Sequence, residues 1–307
     1  MLEPLVFSIA SYDHLADAIT KAAGWERGSV ARTHFPDGER YLRIESDPAD
    51  RDVVIVAGTV DDPATLELYD LACGCVTAGA YRLRIVIPFF GYSTMERSVR
   101  YGEIVTAKTR ARLLSSIPMA SRGTQLFMLD LHVESISYYF EGGIRSTHVY
   151  GKPFVMAAAR RLAPAGLVLA STDAGRAKWV ESLANELGVS AGFVFKRRVS
   201  GEETEVRALS ADVRDCDVVI YDDMIRTGSS LLHAAEAYRN AGALRVFVVA
   251  THGLFPGDAL ARLRDSGVIE RIVCTDTHPR ALELRSDFLE VRSVAGLIAE
   301  FLGRRSA

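Results

Sequence analysis

Cysteine is scarce in this chain. Cys73, Cys75, Cys216 and Cys274 are the four among 307 residues. That is too few and too scattered for a disulfide scaffold, so reduced thiols and a cytoplasmic location are expected. Cys73 and Cys75 form a Cys-x-Cys pair, but no second Cys or His cluster completes a metal site. Long hydrophobic runs are also missing, and without one of about 18 apolar residues no transmembrane helix is expected. Glu3 near the start, with no basic region ahead of a long apolar run, argues against a signal peptide. Charge of one sign is lacking as well: 36 Lys and Arg face 39 Asp and Glu, a formal net charge of -3. That balance names neither nucleic acid nor a membrane as partner. No Gly-x-x-x-x-Gly-Lys-Ser/Thr stretch occurs, which excludes a P-loop kinase.

What is present describes a soluble globular chain, 49% hydrophobic and 24% charged, long enough for two ordinary domains. Its most informative stretch is 218–230. Val218, Val219, Ile220 and Tyr221 read as a buried parallel strand that ends at Asp222 and Asp223. A short loop with Thr227, Gly228, Ser229 and Ser230 follows, then an amphipathic helix over 231–240 with Gly242 as its C′ residue. Residues 246–250 supply the next strand and complete a βαβ unit. Ligands of such sheets sit beyond the carboxyl ends of the strands. Small loop residues and a helix N-terminus suit a phosphate, and two carboxylates suit the vicinal hydroxyls of a sugar. Local chemistry alone also allows a plain strand-to-helix turn.

The rest of the chain alternates in the same way. Strands are expected at 5–9, 30–35, 41–45, 53–57, 83–87 and 125–129, and again at 167–170, 192–195, 271–274 and 289–291. Helices are expected at 14–23, 63–79, 107–117, 152–162, 179–187 and from Ser293 to about residue 302. Strands alternating with helices argue for an α/β fold with largely parallel sheets. The pattern restarts near Gly151, which suggests two similar domains, 1–148 and 149–307.

The 218–230 stretch resembles the phosphoribosyl pyrophosphate (PRPP) loop of phosphoribosyltransferase-fold proteins. The chain as a whole resembles the ribose-phosphate pyrophosphokinase family. The likeness rests on Phe35-Pro-Asp-Gly-Glu39, Pro88-Phe-Phe-Gly-Tyr92, Thr106-Ala-Lys108 and Asp130-Leu-His132 in the first half. In the second half it rests on Ser171-Thr-Asp173, Lys196-Arg-Arg198, residues 222–230 and Ala250-Thr-His-Gly253. The resemblance implies two tandem phosphoribosyltransferase-like domains and transfer of pyrophosphate from ATP to ribose 5-phosphate, giving PRPP and AMP. It implies that His132 and Asp173 help to hold Mg²⁺, with a water-mediated contact or a hydrogen bond to phosphate equally open for His132. It further implies that Lys196 and Arg198 close over the site, and that Phe35, Asp37 and Glu39 form a nucleotide loop reaching across a subunit interface. Arg97 joins them in binding ATP. Asp222, Asp223, Thr227, Gly228, Ser229 and Ser230 take ribose 5-phosphate. A homo-oligomer built on dimers, with a hexamer as the larger form, is expected.

The chain also departs from its family's wording. Thr94 and Met95 stand where Arg and Gln are usual, Arg176 where a second Gly is usual, and Arg226 where a third Asp is usual. Two further readings therefore stay open: a non-catalytic homologue that regulates a true synthetase, and a phosphoribosyltransferase that consumes PRPP.

Overall fold

The computed structural model describes residues 3–164, 166–172, 174–200 and 203–304. By its internal contacts the chain divides into two compact units, 1–150 together with 293–307, and 151–292.

In the first unit the elements run β1 (Leu5–Ser8), α1 (Asp13–Ala23), β2 (Glu26–Arg27), β3 (Val30–His34), β4 (Arg40–Ile44) and β5 (Asp52–Val56). They continue with α2 (Asp62–Thr77), β6 (Arg82–Ile87), α3 (Thr106–Ser115), β7 (Thr124–Leu129) and β8 (Arg145–Val149). Six strands form one sheet in the order β2-β1-β5-β6-β7-β8, every pair parallel. β3 and β4 stand apart as an antiparallel hairpin. Alternation of Tyr41 and Arg43 outward with Leu42 and Ile44 inward is the half-buried pattern expected of β4. No sequence signal marks β8, because Arg145, Ser146, Thr147 and His148 are polar and carry no apolar period.

The second unit runs α4 (Lys152–Leu162), β9 (Leu167–Ser171), α5 (Ala177–Leu187), β10 (Ser190–Gly192), β11 (Val194–Ser200) and β12 (Glu203–Leu209). Next come β13 (Asp217–Ile225), α6 (Ser229–Asn240), β14 (Arg245–Gly253), α7 (Ala259–Asp265), β15 (Arg271–Thr275), α8 (Pro279–Glu283) and β16 (Leu289–Arg292). Its sheet is again six-stranded and parallel, in the order β10-β9-β13-β14-β15-β16. The β11–β12 hairpin stands apart from it. Both sheet faces are covered. Val218 and Ile220 point into one apolar cluster, Val219 and Tyr221 into another, which is why β13 reads as a continuous hydrophobic run.

The closing helix, α9 (Ala295–Gly303), packs on α1 in the first unit, although the sequence pattern had grouped it with the second half. A charge inside the core explains the pull. Arg84, fully buried on β6, pairs with Asp52 at 2.8 Å and donates through Nη1 to the carbonyl of Leu302 at 3.2 Å. A buried guanidinium needs such partners, and the carboxyl end of α9 supplies one.

Candidate functional site

In the second unit, β9 lies between β10 and β13, so successive connections leave it in opposite directions. The crevice at the carboxyl ends of β9 and β13 is therefore the switch point at which such sheets bind ligands. β13 does not end at the acidic pair, as the sequence pattern suggests, but runs on to Ile225. It pairs with β14 as far as Ile225 and Gly253, with Asp222 opposite Ala250. The carboxylates thus sit on rigid strand backbone.

Asp222 is half-buried and Asp223 is 2% exposed. Asp222 Oδ1 accepts from the Asp223 amide at 3.0 Å, and its Oδ2 accepts from Thr172 Oγ1 at 3.4 Å. Arg176 lies beside both carboxylates: Nη2 is 2.8 Å from Asp223 Oδ1 and Nε is 3.9 Å from Asp222 Oδ1. Burial, and then the adjoining Asp223 charge, push Asp222 well above the usual carboxylate range, while Arg176 pulls the other way.

Beyond β13 the exposed Arg226 and Thr227 lead into α6. Arg262 on α7 donates to the Thr227 carbonyl at 3.2 Å and holds the loop. Gly228 is left-handed, with φ +77, and a Cβ there would meet Leu263 Cδ1 at 2.8 Å, so glycine is required twice over. The first turn of α6 carries no acidic side chain, which leaves its positive end facing the loop of Thr227, Ser229 and Ser230. Further along the rim, His252 Nδ1 lies 2.8 Å from Thr277 Oγ1, and Thr275 and Thr277 both donate to the carbonyl of Thr251. This buried network fixes the end of β14 at the Ala250-Thr-His-Gly253 motif.

The basic flap takes regular form. In the β11–β12 hairpin, Lys196 pairs in register with Val206 and Arg198 with Thr204, with a shift between Phe195 and Lys196. Asp173 lies outside the described residues.

In the first unit, the turn after β7 carries His132. Asp130 takes φ +39, its amide donating to the Val149 carbonyl at 2.9 Å. The Leu131 amide donates to His148 Nε2 at 3.1 Å, so in the neutral ring the proton sits on Nδ1. The His148 ring lies against Tyr150 at a tilt of 35°, with centroids 4.2 Å apart, and the Tyr150 hydroxyl donates to Glu134 Oε1 at 2.7 Å. That bond to a carboxylate, with burial, raises Tyr150 to about 12. His148 is therefore a support of the His132 turn that no local sequence signal revealed; recognising β8 would have placed it opposite Met128 on β7.

Residues 88–92 owe their wording to packing. A Cβ on Gly91 would stand 2.0 Å from the Thr59 carbonyl oxygen, and the Gly91 amide donates to Thr59 Oγ1 at 2.8 Å. The Tyr92 hydroxyl and Arg110 both donate to Asp62, which holds that carboxyl below its usual range. Arg97 is 77% exposed, its Nε 3.4 Å from Glu96. Tyr139, just after the His132 turn, donates to the Glu96 carbonyl and ties the two segments together. Phe35, Asp37 and Glu39 form the tip of the β3–β4 hairpin, all exposed. The tip is closed by Phe35 N to Glu39 O at 2.8 Å and Glu39 N to Asp37 Oδ1 at 3.1 Å.

A family model described as the N-terminal domain of ribose phosphate pyrophosphokinase matches residues 5–117, and a phosphoribosyl synthetase-associated domain matches 198–306. A ribose-phosphate pyrophosphokinase of Synechococcus elongatus is 31% identical over 303 residues, covering 97% of this chain and 89% of its own length. One from Gloeobacter violaceus is 31% identical over 302 residues, with the same coverage. The crystal structure of the phosphoribosylpyrophosphate synthetase of Mycobacterium smegmatis aligns with a TM-score of 0.86 and 23% identity over 99% of each chain, a likeness of fold.

Proposed function

Given that the chain belongs to the ribose-phosphate pyrophosphokinase family, we propose that it makes PRPP and AMP from ATP and ribose 5-phosphate. The observation that carries this reading is the switch-point crevice of the second unit. It holds two strand-borne carboxylates, Asp222 and Asp223, directly ahead of a glycine-turned helix N-terminus. The carboxylates accept from vicinal ribose hydroxyls, and the loop of Thr227, Gly228, Ser229 and Ser230 takes the 5-phosphate through its amides and hydroxyls. The anomeric hydroxyl oxygen then bonds to the β-phosphorus of ATP and loses its proton. The bond from that phosphorus to the α,β-bridging oxygen breaks, and AMP leaves.

Such a transfer asks mainly for positioning and for cations around the developing charge. Lys196 and Arg198 on the β11–β12 hairpin supply those cations, and Phe35, Asp37, Glu39 and Arg97 bind ATP. Among the described residues no three His, Cys, Asp or Glu side chains converge as a metal cage. Mg²⁺ arriving with the nucleotide needs no such cage, because it keeps its waters and takes one or two carboxylates plus substrate phosphates. His132 and Asp173 are the residues that would hold it, and when bound it neutralises charge on the transferring phosphates. Assembly into a dimer-based homo-oligomer goes with this reading, the hairpin tip with Phe35 being exposed. The four free thiols suit a cytoplasmic enzyme.

The test is incubation with ribose 5-phosphate, Mg²⁺ and a panel of nucleoside triphosphates, with product analysis. PRPP with a stoichiometric nucleoside monophosphate is expected. Binding of both substrates without turnover would instead identify a regulatory homologue.

A further inference from the structure

Two carboxylates on consecutive residues repel each other, and one of them, Asp223, is almost wholly buried. Both accept hydrogen bonds most strongly when ionised, and a nearby positive charge favours that form against burial and mutual repulsion. The chain carries one. Arg176, in the short turn Ala174–Arg176 after β9, spans the pair with Nη2 2.8 Å from Asp223 and Nε 3.9 Å from Asp222. Its side chain is only 22% exposed, so water screens the attraction weakly. Asp222 Oδ2 lies on the Thr172 side of its carboxyl group, opposite the oxygen nearest Arg176. One guanidinium thus offsets the charge of both carboxylates while contacting one oxygen of each.

Resting on the sugar-binding reading above, we infer that Arg176 is the resident counter-charge of Asp222 and Asp223, so that ribose 5-phosphate binds this crevice without a divalent cation. Glycine at this position would supply no charge, and the pair would then depend on an external ion. Mg²⁺ is on this view needed for the nucleotide and not for the sugar.

Calorimetric titration of ribose 5-phosphate into the full chain, in EDTA and again in Mg²⁺, tests this. The unaltered protein is expected to bind with affinities within about threefold of each other. Arg176→Gln keeps a hydrogen-bond donor and loses the charge. In EDTA it should bind at least about tenfold more weakly, as loss of a charge-assisted contact implies, and Mg²⁺ should restore most of that loss. Arg176→Lys keeps the charge and should bind in EDTA nearly as the unaltered protein does, which guards against a Gln variant that folds poorly. Binding by the unaltered protein that vanishes in EDTA would overturn the inference. So would Arg176→Gln that binds normally in EDTA, or a folded Arg176→Lys that loses binding in both conditions. If the unaltered protein fails to bind ribose 5-phosphate even with Mg²⁺, the sugar-binding reading itself falls.

Discussion

The two units share one topology and use it differently. In each, the first strand is flanked by the second and by the strand that follows an antiparallel hairpin, and three more parallel strands complete the sheet. The corresponding place beside β1 in the first unit carries basic side chains, and Arg27 and Arg32 line a cavity there with Asp13, Asp17 and Gly28. Tyr12 is fully buried and approaches so closely that a Cβ on Gly58 would stand 2.0 Å from its hydroxyl. Arg27 donates to Ser8 Oγ and Arg32 to the Ser8 carbonyl, each also paired with an acidic side chain. Beside β9 in the second unit the corresponding place displays Asp222 and Asp223. The inserted hairpins diverge likewise: β3–β4 carries Asp37 and Glu39 at its tip, whereas β11–β12 carries Lys196, Arg197 and Arg198. The sheet is a scaffold, and chemistry follows from what fills or lines the switch point.

The largest effect that bears on this contrast belongs to the crevice of the second unit. Asp222→Asn with Asp223→Asn should lower kcat/KM for ribose 5-phosphate by about 10²- to 10⁴-fold, two charge-assisted contacts being lost. Steady-state kinetics on folded protein check it, and a change under tenfold would remove the pair from sugar recognition. In the first unit, Tyr12→Ala should cost about 3–5 kcal/mol of stability, as other large-to-small core changes do, with turnover per folded molecule unchanged. Denaturant unfolding beside active-site titration separates the two quantities. A large fall in kcat of the folded fraction would show that the place beside β1 also does chemistry.

The hairpins offer the next contrast. Lys196→Ala or Arg198→Ala should reduce kcat by about 10²- to 10³-fold with little change in KM, because a closing cation acts on the transition state. A change confined to KM would make the basic hairpin a substrate recruiter. A smaller effect is expected at the nucleotide end, where Thr94 offers one hydroxyl and Met95 no fork of donors. Thr94→Arg with Met95→Gln should tighten ATP binding about 10- to 150-fold and sharpen the preference for adenine. Competition among nucleoside triphosphates measures this, and strict adenine selectivity in the unaltered protein would contradict it.

The smallest effect concerns pH and stability. Asp222 has its carboxyl raised in the fold from an unfolded value of 3.8. The folded state then holds the proton more tightly, so this residue's contribution is most favourable below pH 3.8 and is lost as pH rises toward the folded value. Asp222→Asn should therefore stabilise the protein at neutral pH by about 1 kcal/mol, with the gain fading in acid. Unfolding midpoints from pH 3 to 8 test the sign. An equal gain at every pH would point to packing instead.

Much of the second unit was legible because its signals are local. A run of β-branched residues, two aspartates, a small-residue loop and a helix closed by Gly242 at φ +100 lie within the 25 consecutive positions 218–242. Backbone geometry enforces that order whatever surrounds it. The turn at Pro36, Asp37 and Gly38 was legible for the same reason. Other features were decided only when distant segments met. Arg84 reads as a surface charge within a strand until Asp52 and the Leu302 carbonyl close around it. His148 is unremarkable until the Leu131 amide donates to it, and Arg176 breaks a glycine motif until it reaches two carboxylates about fifty residues away. Sequence periodicity reports which side of an element faces the core. A buried charge or a supporting imidazole is settled by partners far along the chain, and only the packed structure brings those together.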